Sequence, residues 1–207
     1  MTIRPDIVSA AADIGVDAPV LAAIVAVESN GAGLRNGRPV IRLEVHHFWS
    51  HTPAGLRPQV DARFKVFGPE AWEGHRWRPA PGAAWEDLHV GQEREWRAYE
   101  LARSICAHAA IRATSWGLGQ VVAGNRTEDE GLDGWKRAGF ASAEAFADAQ
   151  ATEAGQLQTM ARWLAGDPVL LRAMRARDWR TVARLYNGAG KVDEYARALS
   201  AAYNRAA

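Results

Sequence analysis

Apolar residues recur along most of the chain at the three- and four-residue spacing of α-helices. The first clear example is residues 18–29, which follow Asp17 at the N-cap position. Leu21 and Ile24 lie on one face of this predicted helix, and Glu28 continues the same apolar stripe. Because a carboxylate that faces a core is unfavourable unless it is paired, neutralised or used, Glu28 becomes the first candidate for chemistry.

The other predicted elements surround one segment of different character. Residues 40–49 predict a short strand that runs into a helix, residues 92–110 a long helix, and residues 142–203 a series of helices. Residues 51–91 instead contain five prolines and three tryptophans, which predicts an irregular, loop-rich lobe and not a linker. The whole pattern predicts a single, mainly α domain over residues 1–207 that carries this lobe.

Start and stop signals divide the later helices. Asp167, followed by proline, predicts the restart of a helix, and Asp178 is placed to cap the next one. That helix is predicted to end near residues 186–190, where glycines follow, and a last helix covers about residues 192–203.

Composition narrows the class of protein. Hydrophobic residues make up 48% of the chain and charged residues 24%, as in globular proteins. The net charge of +1 gives no overall field that favours a nucleic-acid partner. The single cysteine, Cys106, excludes an internal disulfide and is expected to be a small buried hydrophobe. Residues 1–6 are polar, so we expect no secretory signal, and no segment is long enough to span a membrane.

Three short motifs occur in a distinctive order. Glu28-Ser29 ends the first predicted helix, Gly-Leu-Gly-Gln follows a turn at 117–120, and Tyr-Asn-Gly-Ala-Gly occupies 186–190. Each motif alone is weak. Together they resemble the lysozyme-like superfamily of goose-type lysozymes and lytic transglycosylases, and the resemblance implies that the three segments meet at one cleft.

A wider set of segments resembles the N-acetylmuramidase family of phage endolysins and prophage proteins. These segments are residues 27–31, 37–41, 43–48, 113–120, 178–179 and 185–190. The resemblance extends over nearly the whole chain and is weakest in the lobe. It implies a lysozyme-like fold, no cofactor, and cleavage of the β-1,4 bond between N-acetylmuramic acid and N-acetylglucosamine in peptidoglycan.

The resemblance implies that Glu28 is the catalytic acid. A group that protonates a glycosidic oxygen near neutral pH needs a pKa above the ordinary value of about 4, which desolvation provides. The apolar stripe favours that environment for Glu28, because an apolar pocket raises the pKa of a catalytic glutamate by desolvation. Taken alone, a glutamate at a helix end is more often a surface residue or an ion-pair partner.

Glu44 is the candidate for a second catalytic carboxylate, because it lies in the family-like segment 43–48. The alternative is that Glu44 holds a backbone group or a histidine, and the sequence does not separate the two roles. Members of these families often lack an obvious catalytic aspartate, and Asp61 in the lobe is a poorer candidate.

Four polar residues are candidates for substrate binding by the same resemblance. They are Ser115, Gln120, Tyr186 and Asn187. Glycines beside Tyr186 allow close approach of a ligand to the backbone, although aromatic residues at helical spacing more often pack in the core. Ser115 can equally be a turn residue. Tryptophans of the lobe can be stacking faces for a glycan or hydrophobic anchors.

Glu44, His46, His47 and His51 raise the alternative of a metal site. His47 and His51 have the i, i+4 spacing of helical ligands, but no third ligand follows at a recognisable distance. We therefore expect no metal and no cofactor.

Three other functions compete with the muramidase prediction. A lytic transglycosylase shares the motifs but closes an anhydro ring instead of adding water. A non-catalytic module would bind envelope polymers or nucleic acid through the arginines between residues 172 and 184, which are more simply a solvated face. An inactive relative would retain the fold alone. We expect a monomer that is made in the cytoplasm and acts on glycan strands of the cell wall after release.

Overall fold

The computed structural model describes residues 2–124 and 133–207, which are mainly helical, as predicted. The helices differ in length from four residues to 21. In chain order they are α1 (Pro5–Asp13), α2 (Ala18–Ser29), α3 (Val45–His51), α4 (Arg57–Asp61), α5 (Gln92–Arg112), α6 (Gly134–Arg137), α7 (Ala143–Ala149), α8 (Glu153–Ala165), α9 (Pro168–Ala176), α10 (Trp179–Asn187) and α11 (Val192–Ala206).

Short antiparallel strands form a hairpin and two small sheets. The hairpin joins β1 (Leu34–Arg35) to β2 (Arg38–Pro39). The central sheet has the order β3 (Ile41–Leu43), β7 (Thr114–Trp116), β8 (Val121–Val122), and the lobe sheet has the order β4 (Phe64–Val66), β5 (His75–Trp77), β6 (Glu86–Asp87). In the central sheet Leu43 pairs with Thr114 and Ile41 with Trp116.

The helix predicted at residues 18–29 is confirmed as α2. Leu21 and Ile24 are completely buried, and Asn30 ends the helix in the left-handed conformation with φ 52°. Asp17 occupies the N-cap position without a capping hydrogen bond, because its carboxylate pairs with Arg177 at 2.9 Å instead. Helix α2 packs between α1 and α11, which places its last turn beside α11.

The long helix predicted at 92–110 is confirmed as α5, which ends at Arg112. Its backbone is interrupted at Cys106, with φ −154° and ψ 98°. Cys106 is half-buried against the core, so the expected full burial is wrong for this residue. Helix α5 packs against α3 and β3 and so supports the central sheet from one side.

The lobe at residues 51–91 is more regular than predicted. It contains a 3-10 turn at Ala54–Leu56, helix α4 and the lobe sheet. Strands of two or three residues are too short to show an alternating pattern, so prolines and glycines dominate the sequence signal there. Val60, Phe64, Trp77 and Leu88 of the lobe are buried and belong to the same apolar core as the rest of the described chain.

The predicted caps of the later helices are confirmed. Asp167 accepts hydrogen bonds from the backbone amides of Val169 and Leu170 at the start of α9, and Asp178 accepts one from Thr181 at the start of α10. The strand and helix predicted at 40–49 are also confirmed, as β3 and α3.

The helices fall short of the requirements of a membrane span. Within residues 2–124 and 133–207 no single helix is both long and apolar enough to cross a membrane. Helices α1 and α2 reach that length and hydropathy only when taken together, across a bend of 114°.

Candidate active site

Glu28 lies in the last turn of α2, half-buried at the edge of the core. The Tyr195 hydroxyl on α11 donates a hydrogen bond to Glu28 Oε1. Ser29 turns inward and donates to the Val25 carbonyl at 3.0 Å, so only the glutamate of the Glu-Ser motif extends from the helix end. A carboxylate fixed in this way is oriented by the fold.

The Gly-Leu-Gly-Gln motif, residues 117–120, forms the tight turn between β7 and β8, which we call the Gly-rich turn. Gly117 has φ 66°, and a Cβ there would lie 2.6 Å from the Gln156 side chain, so only glycine fits. Gln120 adopts φ 44° and donates from Nε2 to the Gly117 carbonyl at 2.9 Å. The Ser115 hydroxyl, 5% exposed, donates to Gln120 Oε1 at 3.2 Å. Ser115 and Gln120 are therefore bonded to each other, and their contacts support a turn-forming role.

Gln156 on α8 joins this turn to the segment that follows Glu28. Its Oε1 accepts from the Leu118 amide at 2.9 Å, and its Nε2 donates to the carbonyls of Gly33 at 3.1 Å and Gln150 at 2.8 Å. The Gln156 side chain is 1% exposed. One buried amide thus fixes the exit of α2 relative to the Gly-rich turn.

Tyr186 holds the same turn from α10. It is 2% exposed, its ring packs edge-on against Trp163, and its hydroxyl donates to the Gly119 carbonyl at 2.5 Å. Of the two roles expected for Tyr186, these contacts support packing in the core. Its influence on a bound glycan would pass through the position of the turn.

Tyr186→Phe is expected to lower the free energy of unfolding by about 1–2 kcal/mol, because the buried Gly119 carbonyl loses its donor while the ring contacts remain. Urea denaturation followed by circular dichroism measures this change. An unchanged midpoint would show that the hydroxyl is not needed to hold the turn.

Helix α11 and Tyr186 connect the three motifs. Helix α11 packs on α2, which carries Glu28, and on α10, which carries Tyr186, and Tyr186 in turn contacts the Gly-rich turn. Asn187, the last residue of α10, is exposed, in contrast to Tyr186 before it. Of the four predicted substrate-binding residues, Asn187 is the one with an exposed side chain.

Glu44 lies at one end of β3, and the Gly-rich turn contacts the other end. The Gln120 side chain reaches the Val40 carbonyl just before β3, whereas Glu44 follows the strand, four residues later and about 13 Å along it. Glu44 Oε1 accepts from Arg42 Nε at 2.8 Å, and Glu44 Oε2 lies 3.4 Å from His75 Nδ1. These contacts favour a supporting role for Glu44 over direct attack on the sugar, with Arg42 as its hydrogen-bond partner and His75 beside it.

The charges around Glu44 fix its ionisation. Burial on its own would raise the pKa of Glu44, but Arg42, His75 and His89 outweigh it and hold that pKa below the ordinary value. Burial lowers the pKa of His75 to about 4, so its ring is neutral at pH 7. Glu44 is therefore a carboxylate with no proton to donate, which leaves Glu28 as the better candidate for the acid.

Most of the predicted arginine face is used within the protein. Arg175 donates to the carbonyls of Gly15 and Ile14, Arg177 pairs with Asp17, and Arg180 pairs with Asp193. Because these arginines bind to groups of the same chain, the contacts favour a solvated face and not a nucleic-acid interface.

The tryptophans of the lobe and of α3 divide between the two expected roles. Trp77 is 2% exposed and anchors the lobe, whereas Trp72 is 57% exposed and Trp49, in α3, is 41% exposed. Trp49 donates to Asp61 at 2.9 Å and lies under the Arg57 guanidinium, so Asp61 is already bonded to a side chain of α3.

Sequence reasoning missed several residues of the site. Tyr195 and Gln156 fall within ordinary helical patterns, and no local signal distinguishes them from neighbouring helical residues. His75, His89 and Glu95 form a second group around Glu44, with His89 Nδ1 2.6 Å from Glu95 Oε1. The only signal for this group was the unusual density of histidines near Glu44, and of the histidines that the sequence raised there, His46 lies 3.3 Å from His75.

Comparison with known proteins adds to this geometry. The model of the Muramidase family, described as N-acetylmuramidase, matches residues 17–207. The crystal structure of the Burkholderia AP3 phage endolysin is similar, with a TM-score of 0.72 and 30% sequence identity over 97% of this chain and 68% of the endolysin chain. No curated protein sequence matches significantly. These matches confirm the resemblance and the lysozyme-like fold, and the chain belongs to the N-acetylmuramidase family.

Proposed function

We propose that this chain cleaves the β-1,4 bond between N-acetylmuramic acid and N-acetylglucosamine by hydrolysis, with Glu28 as the general acid. As a member of its family and a relative of a phage endolysin, it is a peptidoglycan-degrading enzyme. The observation that carries the finer proposal is the carboxylate of Glu28, presented at the end of a buried helix and held by the Tyr195 hydroxyl.

The chemistry assigned to Glu28 is protonation of the leaving glycosidic oxygen. That step requires an acid whose position relative to the bond is fixed, because proton transfer needs hydrogen-bond distance in the reacting complex. The contact with Tyr195 removes rotational freedom from the Glu28 side chain. Tyr195 is therefore proposed as a positioning residue, which acts through Glu28.

The remaining predicted residues receive supporting roles in this proposal. Ser115, Gln120 and Tyr186 shape the Gly-rich turn, and exposed Asn187 is proposed to hydrogen-bond the glycan. Glu44 is proposed to organise the histidines beside it and not to attack the sugar. We further propose that the chain acts as one catalytic domain and a monomer on glycan strands of the cell wall.

Muropeptide analysis tests the reaction. Purified peptidoglycan is digested, the products are reduced with borohydride, and their masses are compared with those from a known muramidase. Hydrolysis is expected to give reducible muramic acid ends. Products one water lighter, resistant to reduction, would assign the chain to the lytic transglycosylases, and an absence of any cleavage would favour a binding module.

Tyr195→Phe is expected to lower kcat about tenfold with little change in KM, because the ring remains while the hydrogen bond to Glu28 is lost. Steady-state kinetics on soluble glycan fragments separate the two parameters. Tyr203→Phe, on the same helix, is the matched control and should retain the parental kcat. A rise in KM alone would mean that Tyr195 contacts substrate and does not position the acid.

A further inference from the structure

We propose that Glu44, His75 and His89 bind one divalent transition-metal ion, Zn²⁺ by the chemistry of the ligands, and that this ion fastens the lobe to the core. The proposal concerns a site at the opposite end of β3 from the Gly-rich turn, and it stands independently of the reaction proposed for Glu28.

The three donor atoms already lie close together. One ligand atom from each of Glu44, His75 and His89 lies within 4.8 Å of the other two. His75 Nδ1 is 2.9 Å from His89 Nε2 and 3.4 Å from Glu44 Oε2. Bonds of about 2.0–2.1 Å in a tetrahedral zinc site separate the donor atoms by about 3.3 Å, so side-chain shifts of a few tenths of an ångström to about 1 Å would complete the site.

The outer partners of the histidines determine which ring nitrogens carry protons. His75 Nε2 lies 2.8 Å from the Ala71 carbonyl, which can only accept, so His75 Nε2 is protonated. His89 Nδ1 lies 2.6 Å from a carboxylate oxygen of Glu95 and is protonated for the same reason. Metal-binding histidines are commonly oriented by such a carboxylate or carbonyl contact on the other nitrogen.

The two ring nitrogens that face each other are placed to coordinate a cation. His75 Nδ1 and His89 Nε2 are 2.9 Å apart, and Glu44 adds a carboxylate oxygen to the same group. The other ring nitrogen of each histidine already lies beside an acceptor, as is common for metal-binding histidines. A cation at this point would offset the charge of the Glu44 carboxylate.

The carboxylate of Glu44 gives a second, independent observation. Its Oε1 is satisfied by Arg42, whereas its Oε2 is excluded from solvent and receives no hydrogen bond from any residue of the described chain. A buried carboxylate oxygen without a donor is unfavourable, and such atoms call for an explanation. Coordination of a cation satisfies Glu44 Oε2 directly.

His46 stands outside this set. Its Nδ1 is 3.3 Å from His75 Nε2, which is not the nitrogen proposed as a ligand, and 4.0 Å from Glu44 Oε2. It acts as a second acceptor for the His75 proton and helps to hold that ring. The ligand set is therefore one carboxylate and two histidines, with a fourth position for water.

The places of the ligands in the fold indicate what the ion does. Glu44 precedes α3 next to the central sheet, His75 is the first residue of β5 in the lobe sheet, and His89 lies between that sheet and α5. Glu95, the outer partner of His89, also accepts from the Leu43 amide at 3.1 Å. An ion bound here adds a link between the lobe sheet and the segment that joins β3 to α3.

Metal binding is tested on the full chain after treatment with a chelator. We expect one Zn²⁺ per chain by mass spectrometry of the metal, and the intense visible absorption of tetrahedral Co²⁺ when cobalt replaces zinc. Zinc at a hundred times its Kd should raise Tm by about 5–10 °C for a chain of this size. Substoichiometric binding with no change in Tm would overturn the proposal.

Two variants locate the site. His89→Gln is expected to abolish the cobalt spectrum and the zinc-dependent rise in Tm, and Glu95→Gln to weaken zinc binding by about 10–100-fold as an outer partner. His108→Gln is the matched control, because His108 is exposed on α5 and pairs only with the exposed Glu144 at 3.4 Å among the described residues. Equal zinc affinity in His89→Gln and His108→Gln would overturn the assignment. The cobalt spectrum of the parent decides the matter if His89→Gln does not fold.

Discussion

Glu28→Gln is expected to lower the rate of glycan cleavage by about 10²–10⁴-fold, the usual contribution of a general acid. Glutamine has nearly the shape of glutamate, and its amide oxygen can still accept from the Tyr195 hydroxyl. The variant should therefore fold and bind peptidoglycan while it lacks the proton to donate. Loss of turbidity of purified peptidoglycan, together with the yield of muropeptides, measures the effect.

Glu93→Gln serves as the control for this variant. Glu93 is an exposed glutamate in the first turn of α5, so the substitution makes the same change in charge away from α2 and α11. We expect the parental rate from Glu93→Gln and matching circular dichroism spectra for both variants. If folded Glu28→Gln cleaved as fast as the parent, Glu28 would be excluded as the acid.

Gln156→Leu is expected to destabilise the protein by about 3–5 kcal/mol, because the Leu118 amide and the Gln150 carbonyl are left buried without this partner. The Gly33 carbonyl keeps one hydrogen-bond donor, because the Val40 amide also donates to it at 2.9 Å. In a chain of this size such a loss lowers Tm by about 10 °C or more. Thermal and urea unfolding measure it.

The control for Gln156 lies two residues away on the same helix. Gln158 is exposed, so Gln158→Leu makes the same chemical change without removing buried hydrogen bonds and should alter stability by less than about 0.5 kcal/mol. Because Gln156 fixes the Gly-rich turn relative to the segment after Glu28, the folded fraction of Gln156→Leu should also cleave glycans more slowly. Equal stability of the two variants would mean that water replaces the lost partners.

The helix that carries Glu28 could be predicted from local sequence signals alone. The sequence predicts helix α2 with its observed bounds, because a continuous apolar stripe, an N-cap residue and an Asn-Gly stop all lie within a few residues of one another. The same local signals predict the starts of α9 and α10 at Asp167 and Asp178. The family likewise follows from short motifs whose order is a property of the sequence.

Contacts between distant segments were decided by the tertiary structure alone. Tyr195 reaches Glu28 across 167 positions of the chain, and Gln156 reaches Gly33 across 123. The histidine group shows the same limit: spacing along α3 draws attention to His47 and His51, whereas the fold brings His75 and His89 to Glu44. Helical and strand periodicity reports which face of an element is buried, and it carries no information about which element covers that face. The sequence therefore determined the helices, the motifs and the family, and packing determined which side chains hold the acid and which histidines converge on Glu44.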